Sequence, residues 1–489
     1  MSIPSPIGLP LELKLGEVDF SLPADARSYQ VNVQPSNVSQ VQQTGISLIC
    51  AASSAPTVLP QFTSQTIYFD LPAGSSPSTF LDNRFTTLSF RANVSITTAV
   101  TASSITSAFQ RSGGYSWFDR MYITAQNGNI VEDVTEFGLV NDLMVATQLN
   151  PATRDSLAVQ YGFLSDPAAT VSQGHQWTTI VGGAAVTATE TYSYSIPLSS
   201  SLVGVTADRF FNIGRTNKLQ IALQTATELP ISILCSATAA AAGAMTVTLS
   251  DFAIQCNYVD VGPSALAMID ATLPDKKAYI HGTTYKTSSI SMPSVAGSQS
   301  LLAGIRGSSI KSLFARFQDG GTQSTTNSIN GKYDSKNPLL NSINFNVGGQ
   351  RIPSNPVNPL LQPSRAFRAL QMASGSFNNS QFQSAMIPGS YCKLSAGGTA
   401  QAATVGGTQA YYWNLGSVQT GLCQFIYGED LEVVARRGLM SGLNCNSAPV
   451  FVEFNAATAP TNAQVLYVHA LGDVVYIHDV LTGDVQVRM

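Results

Sequence analysis

Apolar and polar residues alternate in short runs along most of the chain, which is the period of half-buried β-strands. Residues 66–71 (TIYFDL) form one such run, stopped by Pro72. In 85–98, Leu88, Phe90, Ala92, Val94 and Ile96 share one face. Residues 191–196, 219–223, 231–234 and 246–261 add further strands before a break at Gly262-Pro263-Ser264. Beyond the break, 278–292, 310–317, 431–435 and 450–454 read the same way. In 310–317, Lys311 falls on the same face as Leu313 and Phe317, so the inward face is ambiguous.

One composite pattern occurs twice, about half a chain apart. Residues 118–149 alternate at Met121, Ile123 and Ala125, turn at Asn127-Gly128, and resume at Ile130-Val131. Asp133 and Glu136 have the spacing of a helix-capping box. Phe137, Val140, Leu143, Met144 and Thr147 then fall on one helical face. Residues 341–375 repeat the programme with Ile343, Phe345 and Val347, a turn at Gly348-Gly349, and a helix carrying Ala366, Phe367, Leu370 and Ala373. Ser364 is placed to cap that helix and Gly375 to end it. Near the C-terminus, 465–471 and 474–480 flank Gly472-Asp473, which predicts a tight hairpin. That register sets His469 opposite Tyr476 and His478 opposite Tyr467.

The duplication predicts an all-β protein: two consecutive antiparallel eight-stranded jelly rolls with short flanking helices. The expected division is an N-terminal arm over 1–55, a first roll over 56–262 and a second over 263–489. Pro4, Pro6, Pro10 and Pro23 interrupt the arm. Long segments rich in small residues (165–189, 235–244, 318–328 and 395–407) join strands. Loops of that length in a compact fold usually serve function or move.

Composition narrows the function. Of 489 residues only 11% are charged, yet 44% are hydrophobic, which suits a packed β protein with neutral polar surfaces and excludes a disordered chain. The net charge is −4 and basic residues never run beyond two, so direct sequence-specific nucleic-acid binding is not expected. Cys50, Cys235, Cys256, Cys392, Cys423 and Cys445 show no zinc-ligand spacing and are expected as buried thiols. A basic start followed by an apolar core, as in a secretory signal, is not seen at the N-terminus, and no apolar run reaches membrane-spanning length. The sequons at Asn37, Asn93 and Asn378 are accordingly not expected to carry glycans.

No catalytic, cofactor or metal motif emerges. The histidines are His175, His281, His469 and His478. His469 and His478, on adjacent strands of the expected hairpin, read as cross-strand packing with tyrosines rather than as metal ligands. Glu429-Asp430 reads as a solvated strand start, since neighbours on a strand point apart and cannot flank one glycosidic bond. Arg436-Arg437 is weak as a phosphate site, and Tyr411-Tyr412-Trp413 reads as a core or interface anchor rather than a sugar platform.

Residues 112–143 resemble the first-domain strand–turn–strand–helix of double jelly-roll major capsid proteins of the virophage and polinton-like virus type, related to those of large eukaryotic DNA viruses. Residues 310–317 and 337–372 resemble the second-domain equivalents. The resemblance implies a homotrimer shaped as a pseudo-hexagonal tile in an icosahedral virion shell. It also implies neighbouring capsomers, minor capsid and penton proteins, and often an internal membrane as partners. The low charge and the Ala/Gly/Ser-rich loops depart from many members. A capsid role is therefore the expectation, with the loops at 165–189, 235–244 and 395–407 supplying an outer crown. A surface β-sandwich adhesin or carbohydrate-binding protein is the alternative, and a jelly-roll glycosidase comes third.

Overall fold

A computed structural model of the chain describes residues 26–50, 62–99, 104–109, 112–125, 128–149, 151–162, 180–181, 185–207, 209–235, 241–319, 327–328, 331–333, 335–375, 386, 391, 404–405, 408–409, 424–432, 441–460 and 464–488. Before residue 262 the strands are β1 (Arg27–Val33), β2 (Gln40–Cys50), β3 (Thr66–Leu71), β4 (Thr79–Ala99), β5 (Ser104–Phe109), β6 (Phe118–Ala125), β7 (Ile130–Thr135), β8 (Ile180–Val181), β9 (Ala185–Pro197), β10 (Leu219–Thr225), β11 (Ile231–Cys235) and β12 (Ala241–Asp260). Helices α1 (Phe137–Gln148) and α2 (Pro151–Tyr161) follow β7, and α3 (Gly262–Thr272) follows β12. The later strands are β13 (Lys277–Met292), β14 (Gly297–Ala303), β15 (Ile310–Asp319), β16 (Asn327–Ser328), β17 (Leu340–Val347), β18 (Gln350–Val357), β19 (Thr404–Val405), β20 (Thr408–Gln409), β21 (Tyr427–Asp430), β22 (Val450–Ala456), β23 (Gln464–Asp479) and β24 (Val485–Arg488). Helix α4 (Pro363–Ala373) follows β18.

The first half builds its two main sheets in the orders β1-β12-β4-β9 and β3-β10-β6-β7, and a smaller sheet, β16-β11-β5-β8, takes in one strand of the second half. The second half builds β13-β23-β15-β21 and β14-β22-β17-β18. Rank each set of strands along the chain, and both halves show one permutation. The first strand pairs the last, then the third and sixth; the second pairs the seventh, then the fourth and fifth. All these pairs are antiparallel, and this wrapping is the jelly roll. The hairpin β6–β7 with α1 and the hairpin β17–β18 with α4 occupy the same place in the two permutations, so the duplicated pattern marks equivalent elements. Gly128 (φ 74°) and Gly348-Gly349 (φ 59° and 90°) sit in the left-handed region at those turns.

Each core lies between its two sheets. Phe69, Leu88, Ile123, Ile221 and Leu249 fill the first, and Leu313, Phe345, Val452, Leu466 and Val468 the second. In β4 the expected face (Leu88, Phe90, Ala92, Val94) is buried, and the side chain of Ile96 lies outside the described residues. On β15 the ambiguity has a cause: the strand is buried on both faces. Phe317 packs edge-on against Phe454 in its own roll, while Arg316 reaches the first roll.

Several expectations need correction. Residues 27–33 and 40–50 are not an arm. They are β1 and β2, laid end to end along β12, with Val33 opposite Ile254 and Gln40 opposite Ser250. The bend between them reaches back to β3: Asn37 Nδ2 donates to Thr66 O (2.7 Å) and Tyr68 N donates to Asn37 Oδ1 (2.9 Å). That contact closes an otherwise open sheet edge, which neutral polar sequence alone does not reveal. The arm over 1–25 lies outside the described residues. The segment after Gly262 is helical, with Pro263 in the first turn, where its missing N–H costs nothing. Neither expected cap forms. Asp133 lies in β7 bonded to Arg120, and Glu136 enters α1 at φ 55° without a side-chain cap. Ser364 is already inside α4, which starts at Pro363. Gly375 does end α4, its N–H bonding Met372 O (3.0 Å) at φ 73°. Of the strand expected at 431–435, residues 431–432 follow β21 (Tyr427–Asp430) and 433–435 lie outside the described residues; β12 takes in 241–244 of a segment read as loop.

The C-terminal hairpin is the largest correction. Residues 464–479 form one uninterrupted strand, β23, paired along its whole length with β13 from Lys277↔Asp479 to Met292↔Gln464. Gly472-Asp473 makes no turn. A Cβ at Gly472 would lie 3.2 Å from Ser309 O, so glycine lets the chain before β15 cross closely. Asp473 fixes that crossing, accepting from Ser309 Oγ (2.6 Å) and lying 3.2 Å from Lys311 Nζ.

Candidate functional site: a buried polar seam between the rolls

The two rolls meet over a band of polar and charged side chains. Its centre is Arg316 of β15 and Asp142 of α1, fully buried, with Nη1 2.8 Å from Oδ2. Arg316 Nη2 also donates to Tyr333 O (2.9 Å). Helix α1 is buried on nearly every side, which is why it mixes Phe137, Leu139, Val140 and Leu143 with buried Asn141 and Asp142. The Tyr333 hydroxyl donates to Ser116 O (3.4 Å) over Gly138, where an added Cβ would lie 2.3 Å from that hydroxyl. Glycine at 138 is therefore a condition of this approach.

Beside this pair, Lys332 of the second half sits 2.5 Å from Asp119 Oδ1 and 2.8 Å from Glu136 Oε2 of the first. Burial alone lowers the ammonium pKa. The two carboxylates reverse that and hold it well above the ordinary lysine value. The αL entry of Glu136 aims its side chain at this lysine. Asp119 is held in turn by Thr227, whose N–H donates to Oδ2 (2.9 Å).

A third group lies towards the β7 end. Glu132, buried in β7, accepts from Ser200 Oγ (2.5 Å), Ser201 N (2.8 Å) and Ser201 Oγ (2.8 Å). Ser201 Oγ also meets the Tyr476 hydroxyl of β23 at 2.6 Å. Burial raises the Glu132 pKa, and the serine hydrogen bonds oppose the rise. Here again a glycine sets the spacing: a Cβ on Gly282 would lie 2.8 Å from Ser201 Cβ.

The histidines are not a pair. His469 and His478 lie on one strand, nine positions apart in sequence, and face different partners. His469 Nδ1 is 2.9 Å from Thr287 Oγ1, and its ring stacks on Tyr467 at 6.4 Å. His478 Nε2 is 3.3 Å from Thr216 Oγ1 in the first roll, against the Phe211 ring at 5.2 Å. Burial lowers their pKa values to about 3 and about 4, with Arg316 lowering His469 further, so both are neutral at physiological pH. The expected tyrosine pairings across a hairpin are therefore replaced: His469 sits opposite Thr287 and Phe314, and His478 opposite Ala278.

The other candidates do not join this seam. Glu429, next to last in β21, is half-buried rather than solvated and hydrogen-bonded by the Tyr427 hydroxyl, and burial raises its pKa. Cys256 and Cys445 are buried free thiols, Cys256 pushed up to about 12 by burial. His281 is half-buried in β13. His175, Tyr411-Tyr412-Trp413, Arg436-Arg437, Asn378, Cys392 and Cys423 lie outside the described residues. Among the described residues, no three His, Cys, Asp or Glu side chains converge. The Asn37 amide is hydrogen-bonded to β3 through both its nitrogen and its oxygen.

Sequence reading missed Arg316, Asp142, Lys332 and Glu132. The signal for two of them was present: Arg316 is a cation inside the apolar run 310–317, on the opposite face from Lys311 by alternation, and Asp142 is a lone carboxylate in an apolar helix. A single charge inside an otherwise buried element implies a partner of opposite sign.

Two jelly rolls of one permutation, locked across a buried polar seam, define a double jelly-roll protein. No protein-family model and no curated protein matches the chain. Solved structures do. The chain is similar to the structure of the Sputnik virophage determined by cryo-EM, at TM-score 0.53 and 11% identity, covering 91% of this chain and 89% of that one. It is similar to the Faustovirus major capsid protein, at TM-score 0.52 and 9% identity over 93% and 91% of the two chains. The mavirus major capsid protein matches at TM-score 0.50 and 11% identity over 92% and 90%. These likenesses run through both rolls, and at such identity they are likenesses of fold.

Proposed function

We propose that the protein is the major capsid protein of an icosahedral virus, acting as a structural tile of the virion shell and not as a catalyst. The observation that carries this is the coverage: about nine-tenths of this chain and of each of two major capsid proteins superpose as one unit. A shared single roll would support much less, since jelly rolls host many functions. The rolls themselves are proposed to span β1–β12 and β13–β24, with α3 as the joint between them. The tile is a homotrimer, its six rolls forming a pseudo-hexagon that contacts neighbouring capsomers. Minor capsid and penton proteins, an internal membrane beneath the shell, and a chain inner face without direct nucleic-acid readout complete the proposal. The scarcity of charge supports it, because close-packed protein contacts favour neutral side chains. The adhesin alternative gains no support from these structures.

Expression of the full chain followed by electron microscopy tests the proposal. Hexagonal plates or shells are expected, with trimers as the soluble unit in light scattering. A protein that stays monomeric at high concentration, and forms no sheets or shells, would overturn it.

A further inference from the structure

A cavity of about 80 Å³ lies between the rolls beside α1. Glu132 and Asn141 line it from the first roll, and Thr283, Thr284 and Leu471 from the second, with Phe137 as an apolar wall. Glu132 is only 1% exposed. Its hydrogen bonds reveal its charge state. Ser200 Oγ accepts from Leu202 N (3.2 Å) and Val203 N (3.1 Å), which uses both of its lone pairs. The Ser200 proton must then point at Glu132 Oε2, 2.5 Å away. Ser201 N–H donates to Oε1, and when the Tyr476 hydroxyl donates to Ser201 Oγ the Ser201 proton also points at Oε1, so that three donors converge on Glu132. That is the environment of a carboxylate. Yet among the described residues no Lys or Arg forms an ion pair with Glu132, and no cation is among the groups that shift its pKa. An ionised carboxylate buried without a counter-charge is costly.

Thr284, which lines the same cavity, is 5% exposed, and its buried Oγ1 has no hydrogen-bond partner. We propose that the cavity holds one monovalent cation of the size of sodium or potassium, which neutralises Glu132 and is coordinated by oxygens of both rolls, Thr284 Oγ1 among them. Water alone would satisfy Thr284 and leave the charge unbalanced. A divalent ion is disfavoured, because calcium and magnesium sites draw on harder, more highly charged oxygen sets than one carboxylate among neutral groups. The space is sufficient: about 10–15 Å³ accommodates one water centre, so the cavity has room for the ion with part of its hydration. An ion bound only where both rolls meet stabilises the joined state by mass action.

The test is thermal unfolding of the full chain in sodium, potassium and N-methylglucamine chlorides at matched ionic strength. The midpoint is expected to rise saturably with sodium or potassium and not with the bulky organic cation. Rubidium-soaked crystals should give an anomalous peak beside Glu132. In Glu132→Gln the cation-dependent shift should vanish; in Thr284→Val, which keeps the carboxylate, the apparent affinity should fall at least tenfold. If Glu132→Gln does not fold, Thr284→Val decides. Identical midpoints in the three salts without rubidium density, an infrared band of a protonated buried carboxyl, or a response to calcium alone would each overturn the proposal.

Discussion

His469 and His478 are held neutral by burial, and this fixes the sign of the acid response. Their folded pKa values, about 3 and about 4, lie below the unfolded value near 6.5. Stability from these groups is complete above pH 6.5 and is lost as pH falls towards the folded values, because only the unfolded chain takes up the protons. Each histidine contributes a slope of about 1.4 kcal/mol per pH unit in that window. Without a bound cation Glu132 works the other way: burial raises its pKa, so the folded state protonates first and acid relieves part of the loss. Lys332, raised above 10.5, contributes at neutral pH and loses its contribution only as pH rises through the folded value. Urea midpoints measured between pH 7 and pH 5 should therefore fall for the wild type and much less for His469→Gln/His478→Gln. A flat wild-type profile would mean the histidines are not buried neutral. Arg316→Met makes a separate prediction. It strands Asp142 in a fully buried site and should cost about 3–5 kcal/mol, whereas Arg316→Met/Asp142→Leu should recover most of that. Chemical denaturation of the two variants separates loss of a pair from loss of packing.

At the scale of elements, the readable parts were those decided by local period. β3, β4, β10, β13 and β22 could be drawn from alternation, and the duplicated hairpin–helix units from their glycine turns, because one face of each strand is core and the other is not. What stayed hidden was decided by distant partners. β1 and β2 look like polar linker since they lie on an edge, with most of β1 exposed, and only β12 makes them strands. β23 was misread because Gly-Asp between two apolar runs is the ordinary signature of a hairpin. In this chain the glycine admits a crossing segment and the aspartate binds Ser309 and Lys311, two contacts no local pattern reports. The difference is measurable. In a hairpin the amides at the tip exchange freely; in β23, Asp473 N–H is bonded to Ser309 O at 2.9 Å. Hydrogen exchange over 470–475 should be as slow as over 466–469. Fast exchange confined to Gly472-Asp473 would restore the turn. Helix caps failed for a related reason: α1 is positioned by burial and by the Glu136–Lys332 pair, so its first turn does not depend on a side-chain cap.

For the whole molecule, the seam matters more than its own stability suggests. A closed ring of three subunits forms only if each copy presents complementary surfaces at one fixed angle; otherwise head-to-tail contacts propagate or fail. In the proposed trimer each subunit carries two rolls, so the ring angle depends on how rigidly those rolls are joined. The joint includes Lys332 between Asp119 and Glu136, the Tyr476–Ser201–Glu132 chain, and Asn217, whose Nδ2 donates to Thr482 O at 2.7 Å. The sites are spread along the contact, so they oppose rotation as well as separation. Apart from Tyr476, which also packs into the hydrophobic core, these groups are polar and lie outside it. Lys332→Met should therefore leave the sheets intact while freeing the rolls to shift, with two carboxylates left facing each other across the joint. The expected result is a modest fall in the urea midpoint together with a large fall in the trimer fraction, read by light scattering at equal concentration. Lys332→Arg, which keeps the charge, should restore much of the trimer. Equal losses in stability and assembly would show that Lys332 only supports the fold. An unchanged trimer in Lys332→Met would show that the surface alone, and not the angle between the rolls, closes the ring.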